Sequence, residues 1–272
     1  MARPTLCRPL AQEFTVATLD LSKLTAIIRT FERPKALHRL VKSIRHFHPA
    51  LKVLVADDGI EATSCKQADY FRLPSEKGQA AALNALLARV RTPYFLVLED
   101  RAELHGSSQL ANLLELVTTD RLDVAAGSLI ACETKLWLFT KRKPLSQHGL
   151  LEIAGDRLAL LAGSRSQGEG FWWCDLVGNF FVARTDRVRT MGGWDPELHN
   201  EAREEFFFRA HRHGIRVGIH PESSIWLWEE KTKATTMPSH DHHSLAVAKM
   251  GLSQMTDLTG RVIRAPRIAR AA

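Results

Sequence analysis

Short runs of apolar residues recur through the first hundred positions, at Leu24 to Arg29, Lys52 to Gly59 and Tyr94 to Leu98, and each stops at polar or turn-forming residues. Runs of about four to eight such residues, too short for a helix, predict strands covered on both faces. Between them the period changes. Leu37, Leu40, Val41 and Ile44 recur at three- and four-residue spacing with Lys35, Arg39, Lys42 and Arg45 interleaved, which predicts an amphipathic helix ended by His48-Pro49. Tyr70 to Leu73 offers another short strand, and Gly78 to Leu87 opens a second helix closed by Pro93. Strands and helices alternating this closely predict right-handed crossovers and an α/β fold, a mostly parallel central sheet with helices on both faces.

The second half is less regular. Val124 to Ile130 and Leu136 to Thr140 read as strands, whereas Lys141 to Gly170, rich in Gly, Ser and charge, predicts loops or a mobile segment. Order returns at Phe171 to Asp175 and Asn179 to Ala183. Gly192-Gly193-Trp194-Asp195-Pro196 is turn chemistry, and Glu204 to His213 reads as an amphipathic helix closed by Gly214. No internal repeat is visible. The pattern divides the chain into a flexible lead-in at 1–20, two halves at 21–130 and 131–236, and a basic C-terminal tail at 237–272.

The 272 residues carry 37 Lys plus Arg against 30 Asp plus Glu, a formal charge of +7 that favours anionic partners without choosing among them. Every apolar run falls short of the roughly 18 to 20 residues needed to cross a bilayer, and the first thirty residues lack a secretory signal's apolar core. A cytoplasmic enzyme is the default expectation. Cys7, Cys65, Cys132 and Cys174 are widely spaced with no Cys-x-x-Cys pair, so reduced, mostly buried thiols are expected rather than a zinc site or disulfide scaffold.

Chemistry enters at the strand ends. Asp57-Asp58-Gly59 and Glu99-Asp100 close two predicted parallel strands, and the topology brings both to one edge of the sheet. Crowded carboxylates demand a cation or hydrogen-bond donors between them. A nucleoside diphosphate with a divalent metal meets that demand, because the metal takes hard oxygen ligands from carboxylate and phosphate together. Solvated turn acids are the alternative reading of either pair alone.

In their order along the chain, Thr25 to Arg33, Val55 to Gly59, Gly78 to Asn84 and Tyr94 to Asp100 resemble the landmarks of family-2-like glycosyltransferases with the GT-A fold. Cys174 to Asp186, Gly193-Trp194-Asp195-Pro196 and Glu205-Phe206-Phe207 look like the β-1,4-N-acetylgalactosaminyltransferase type within that group. The likeness spans residues 24 to about 230. It implies a nucleotide-sugar-binding half at 21–130 and an acceptor-binding, catalytic half at 131–236, in an inverting enzyme that moves a hexose or N-acetylhexosamine from a UDP-sugar to a glycan or lipid-linked acceptor. Thr30 and Glu32 would meet the nucleotide, Asp58 would bind the uracil ring, and its neighbour Asp57 and Asn84 of the adjoining helix would join the nucleotide-binding set. Asp100, with Glu99 beside it, would bind a divalent metal, Mn²⁺ or Mg²⁺, and the sugar diphosphate. Arg101 stands where the last carboxylate of that motif often lies, so a guanidinium could bind phosphate directly and leave the metal weakly held or partly replaced. A surface residue turned away is the alternative.

The resemblance draws the catalytic base from the helix after the Gly-Gly-Trp-Asp turn, where Glu205 is the first choice and Glu204, about 100° away around a helix, the second. Helix-start acids favoured by the dipole are the competing reading. Asp175 and Trp173 are candidates for sugar binding, against an ordinary core role. His240, His242 and His243 fit no regular zinc spacing. The basic end could rest on an anionic membrane, although a disordered tail is the plainer expectation. Two rivals are weaker: a nucleotidyltransferase would want glycine after the first strand, and no nucleic-acid-binding module is present, so no nucleic acid partner is expected. An inactive relative that keeps nucleotide-sugar binding stays open through Arg101.

Overall fold

The computed structural model describes residues 20–135, 139–229 and 242–266. The first half runs β1 (Leu24–Thr30), α1 (Pro34–Phe47), β2 (Lys52–Asp57), β3 (Asp69–Arg72), α2 (Gly78–Arg89), β4 (Tyr94–Glu99), β5 (Ala102–Glu103) and α3 (Leu110–Thr118). The second half continues with β6 (Val124–Lys135), β7 (Phe139–Leu145), β8 (Gly149–Ala154), β9 (Arg157–Ala162), β10 (Trp172–Cys174), β11 (Phe180–Arg184), α4 (Thr185–Thr190), α5 (Arg203–Arg212), β12 (Val217–Trp228), α6 (His242–Lys249), β13 (Gln254–Thr256) and β14 (Val262–Arg264).

The uninterrupted apolar runs of β1, β2 and β4 serve two cores at once, because successive side chains of a strand point to opposite faces. Leu24, Ala26, Ile28, Val53, Val55, Leu96 and Leu98 pack with α1 and α3 on one side. Ile27, Leu54, Ala56, Phe95 and Val97 pack with α2 and α5 on the other. In α1, Leu37, Leu40, Val41 and Ile44 are 0–1% exposed, and Pro34 fills the first turn where no N–H bond is lost. The large sheet is ordered β10-β12-β6-β11-β4-β1-β2-β3, with β5 on β12 and β7 on β6. β4, β1, β2 and β3 are mutually parallel. β11 runs antiparallel between β4 and β6, and β12 returns parallel to β6.

Two expectations are corrected. The stretch from Lys141 to Gly170 holds most of β7 and all of β8 and β9 instead of only loops. Leu151, Leu158 and Leu160 are buried at alternating positions there, so short strands survive among the glycines and charges. The expected basic tail is likewise built into the fold as far as it is described: β13 pairs parallel with β9 and antiparallel with β14, closing a second sheet ordered β14-β13-β9-β8. Helix α3 was not foreseen. Residues 136–138 of the predicted strand Leu136 to Thr140, and the basic residues beyond 266, lie outside the described residues.

Candidate active site

Strand register sets the site. Arg29 of β1 lies beside Ala56 of β2 and Glu99 of β4, and Thr30 beside Asp57, so three parallel strands end at one level. The residues that follow emerge at a common edge, where open α/β sheets bind ligands. Asp58 is fully buried. Its Oδ1 accepts from Arg29 Nε at 2.6 Å, and its Oδ2 accepts from Arg29 Nη2 and the Gly78 N–H, both at 2.9 Å. Asp100, 3% exposed, accepts from Thr30 Oγ1 at 3.1 Å and from Arg33 Nη1 at 3.2 Å. Acids from two strand ends are thus held by adjacent residues of one strand. Burial pushes the Asp100 carboxyl above its usual range, and the Arg33 charge and the Thr30 hydroxyl draw it partly back.

Between these groups opens a cavity of about 400 Å³ lined by Arg29, Arg33, Gln79, Leu83, Leu98, Glu99, Asp100 and Arg101. Arg101 points back over the strand end, donating from Nε (3.1 Å) and Nη2 (2.9 Å) to Glu99 Oε2. Arg33 is the N-cap residue of α1, and its Nε is buried without a hydrogen-bond partner. Gly78 opens α2 at φ +82°, and a Cβ there would lie 2.9 Å from the Cα of His199, so only glycine lets the α2 amide reach Asp58.

Other expected residues are committed elsewhere. Asp57 Oδ1 accepts from the Gly59 N–H (2.8 Å), and its Oδ2 accepts from the Thr63 N–H (3.0 Å) and the Tyr70 hydroxyl, so it braces the loop after β2. Glu32, at φ 57°, accepts from the Glu61 N–H at 2.9 Å and joins two loops at the rim. Asn84 brackets the backbone of Trp194, its Nδ2 donating to the carbonyl at 2.6 Å and its Oδ1 accepting from the N–H at 2.9 Å. Asp175 accepts from the Leu151 N–H (3.0 Å) and Arg165 Nη2 (2.7 Å), tying the small sheet to the large one. Trp173 of β10 packs edge-on to Phe171, in a strand separated from β4 by β12, β6 and β11, and is not among the residues lining the cavity.

Glu205, the favoured base, is 4% exposed, and both its oxygens are taken by Arg209, which also donates to the carbonyls of Met191 (2.9 Å) and Gly193 (2.8 Å). The pair staples α5 to the Gly192-Gly193 turn, and neither Glu205 nor Arg209 is among the residues lining the cavity. Glu204 folds onto Arg203 at 2.5 Å, and Arg203 lines a small recess that shares Gln79 and Leu83 with the cavity. Arg29, Arg33 and Gln79 were not anticipated as site residues. The available signal was Arg29, the one charged side chain in an otherwise apolar strand.

A divalent cation needs several oxygen ligands free of other partners. Here both Asp100 oxygens and one Glu99 oxygen already face guanidinium or hydroxyl donors, and among the described residues no group of three or more His, Cys, Asp or Glu side chains is placed to hold a metal. Trp228, whose N–H donates to the Arg101 carbonyl at 3.0 Å, brings an indole to this edge, and its Nε1 donates to Glu103 at 2.5 Å. Among the described residues the donor set does not fit a divalent metal. His240 lies outside the described residues, while His243 pairs with Glu201 at 3.3 Å and the His242 ring stacks on that of His199. Cys65, Cys132 and Cys174 are buried free thiols. Among the described residues, no helix is long and apolar enough to cross a membrane.

Residues 25–174 match the profile of glycosyl transferase family 2. Human beta-1,4 N-acetylgalactosaminyltransferase 1 is 33% identical over 197 residues, which cover 70% of this chain and 36% of that protein. Mouse beta-1,4 N-acetylgalactosaminyltransferase 2 is 31% identical over 189 residues, covering 68% and 35%. The chain therefore spans about a third of the length of these curated relatives. Among solved structures, GalNAc-T7 with UDP, GalNAc and Mn²⁺ superposes with a TM-score of 0.65 at 12% identity, over 83% of this chain and 47% of that one. S. aureus TarS 1-349 in complex with UDP-GlcNAc superposes with a TM-score of 0.56 at 12% identity, over 84% and 66%. The shared architecture is the GT-A fold.

Proposed function

Since the chain belongs to glycosyl transferase family 2, we propose that it transfers a hexose or N-acetylhexosamine from a UDP-sugar to a glycan or lipid-linked acceptor with inversion. The observation that carries this reading is the convergence of Asp58 and Asp100 on the neighbouring residues Arg29 and Thr30, at the mouth of a polar cavity of nucleotide dimensions. The relatives' names support an N-acetylhexosamine donor.

In this reading Thr30 and Arg33 fix Asp100, and Asp58 acts through Arg29, holding the guanidinium where it lines the cavity. The acceptor hydroxyl attacks the anomeric carbon while the carbon–oxygen bond to UDP breaks on the opposite side, and a carboxylate takes the hydroxyl proton. Glu204 is assigned that role because Arg203 takes only its Oε1, whereas Arg209 holds both oxygens of Glu205. Mass-spectrometric screening of UDP-sugars for hydrolysis and for transfer to glycan and lipid-linked acceptors tests the reading. Release of UDP from one donor is expected, and no turnover with any donor would sink it. A second reading, nucleotide-sugar binding without turnover, is favoured by the burial of Glu205, and the same screen separates the two when paired with a UDP-binding measurement.

A further inference from the structure

Within the reading of the cavity as a UDP-sugar site, we infer that Arg33 and Arg101, with Arg29 behind them, hold the diphosphate of the donor directly, without a divalent cation. Three guanidiniums and two carboxylates line the cavity. Each carboxylate there is already neutralised: Asp100 by Arg33 at 3.2 Å, Glu99 by Arg101 at 2.9 Å. A metal placed between the two acids would sit beside two fixed positive charges. An anion meets the reverse situation.

The guanidiniums keep donors to offer. Each carries five N–H groups in a planar fork suited to phosphate oxygens. Arg101 spends Nε and Nη2 on Glu99, leaving Nη1. Arg33 gives only Nη1 to Asp100, and its buried Nε has no partner. A buried donor left unsatisfied is costly in a folded protein unless a ligand completes it. Arg33 also stands at the N-terminus of the fourteen-residue α1, where the helix dipole adds to its attraction for negative charge. The acids hold the forks in place.

Isothermal titration of the full chain with UDP, once in excess EDTA and once with Mn²⁺, is the test. UDP is expected to bind in EDTA with a Kd within about threefold of the Mn²⁺ value. Arg33→Ala and Arg101→Ala should each raise the UDP Kd about tenfold or more while changing uridine binding little, since charge-assisted bonds to phosphate are lost. Arg101→Asp, which supplies a carboxylate at this position, should bind UDP only when Mn²⁺ is added. UDP binding by the unaltered chain that vanishes in EDTA and returns with Mn²⁺ overturns the inference while leaving the transferase reading intact. Failure to bind UDP under either condition overturns both. The EDTA comparison needs no variant, so a misfolded substitution does not blunt it.

Discussion

At the scale of single residues, Glu204 and Glu205 adjoin in sequence and part ways in structure. Glu205→Gln leaves the half-buried Arg209, still bonded to the Met191 and Gly193 carbonyls, without its counter-charge. Removing the buried partner of such a half-exposed pair costs about 1 to 2 kcal/mol, a fall in Tm on the order of 5 °C for a chain of this size. Glu204→Gln should leave Tm and UDP binding unchanged and lower kcat by about a hundredfold or more. Thermal melting beside steady-state kinetics distinguishes them, and a stable but inactive Glu205→Gln would return the base to Glu205. Asp58→Asn should weaken UDP binding about tenfold by loosening Arg29, whose two bonds to the carboxylate are charge-assisted; titration calorimetry reads it. The acids of this site were legible in the sequence because carboxylates closing apolar strands are conspicuous. Arg101 was legible too, standing where a carboxylate was expected, but Arg33 was not, since nothing in the chain says that this residue, at the start of an ordinary amphipathic helix, leans across to Asp100 rather than into water.

Among the elements, α2 links the cavity to the second half of the molecule. Its first amide binds Asp58, its Asn84 grips Trp194, and the Ala80 N–H donates to the His199 carbonyl at 2.9 Å. Gly78→Ala would strain a positive φ and press a methyl group on the His199 backbone, a cost of about 1 to 3 kcal/mol. Melting should show the loss, and UDP affinity should fall with it; a variant with unchanged Tm and affinity would mean that α2 shifts without consequence. Elements were readable where burial on both faces enforced an unbroken apolar run, as in β1, β2 and β4. They were obscure where strands are short and half exposed. Leu150, Leu151 and Ile153 of β8 alternate weakly beside glycine and serine, and β13, which completes the sheet on the far side of their partner β9, lies a hundred residues further along the chain, beyond the reach of any local pattern.

For the molecule as a whole, stability should depend on pH with a definite sign. Burial pushes His48, His105, His148 and His220 below 6.5, with the nearby Arg142 charge adding to the effect at His105. The unfolded chain then binds more protons than the native one once pH drops under that value, so the contribution is whole above pH 6.5 and fades as pH falls toward the native values. Asp123 adds a later step. Burial opposes its ionisation, yet hydrogen bonds and charge from Arg216 outweigh it and hold the carboxyl below 3.8, so that contribution is lost as pH falls through the acid range. Differential scanning fluorimetry across a pH series should show Tm declining between about pH 6.5 and 5 and again below about 4; a flat profile would contradict it. The closure of the small sheet by β13 also bears on how the protein is handled. A shortened version ending before Gln254 would strip the outer neighbour from β9 and bare its backbone amides along an edge, a ready template for self-association. Expression designs that keep residues through Arg264 should stay monodisperse where shorter ones clump.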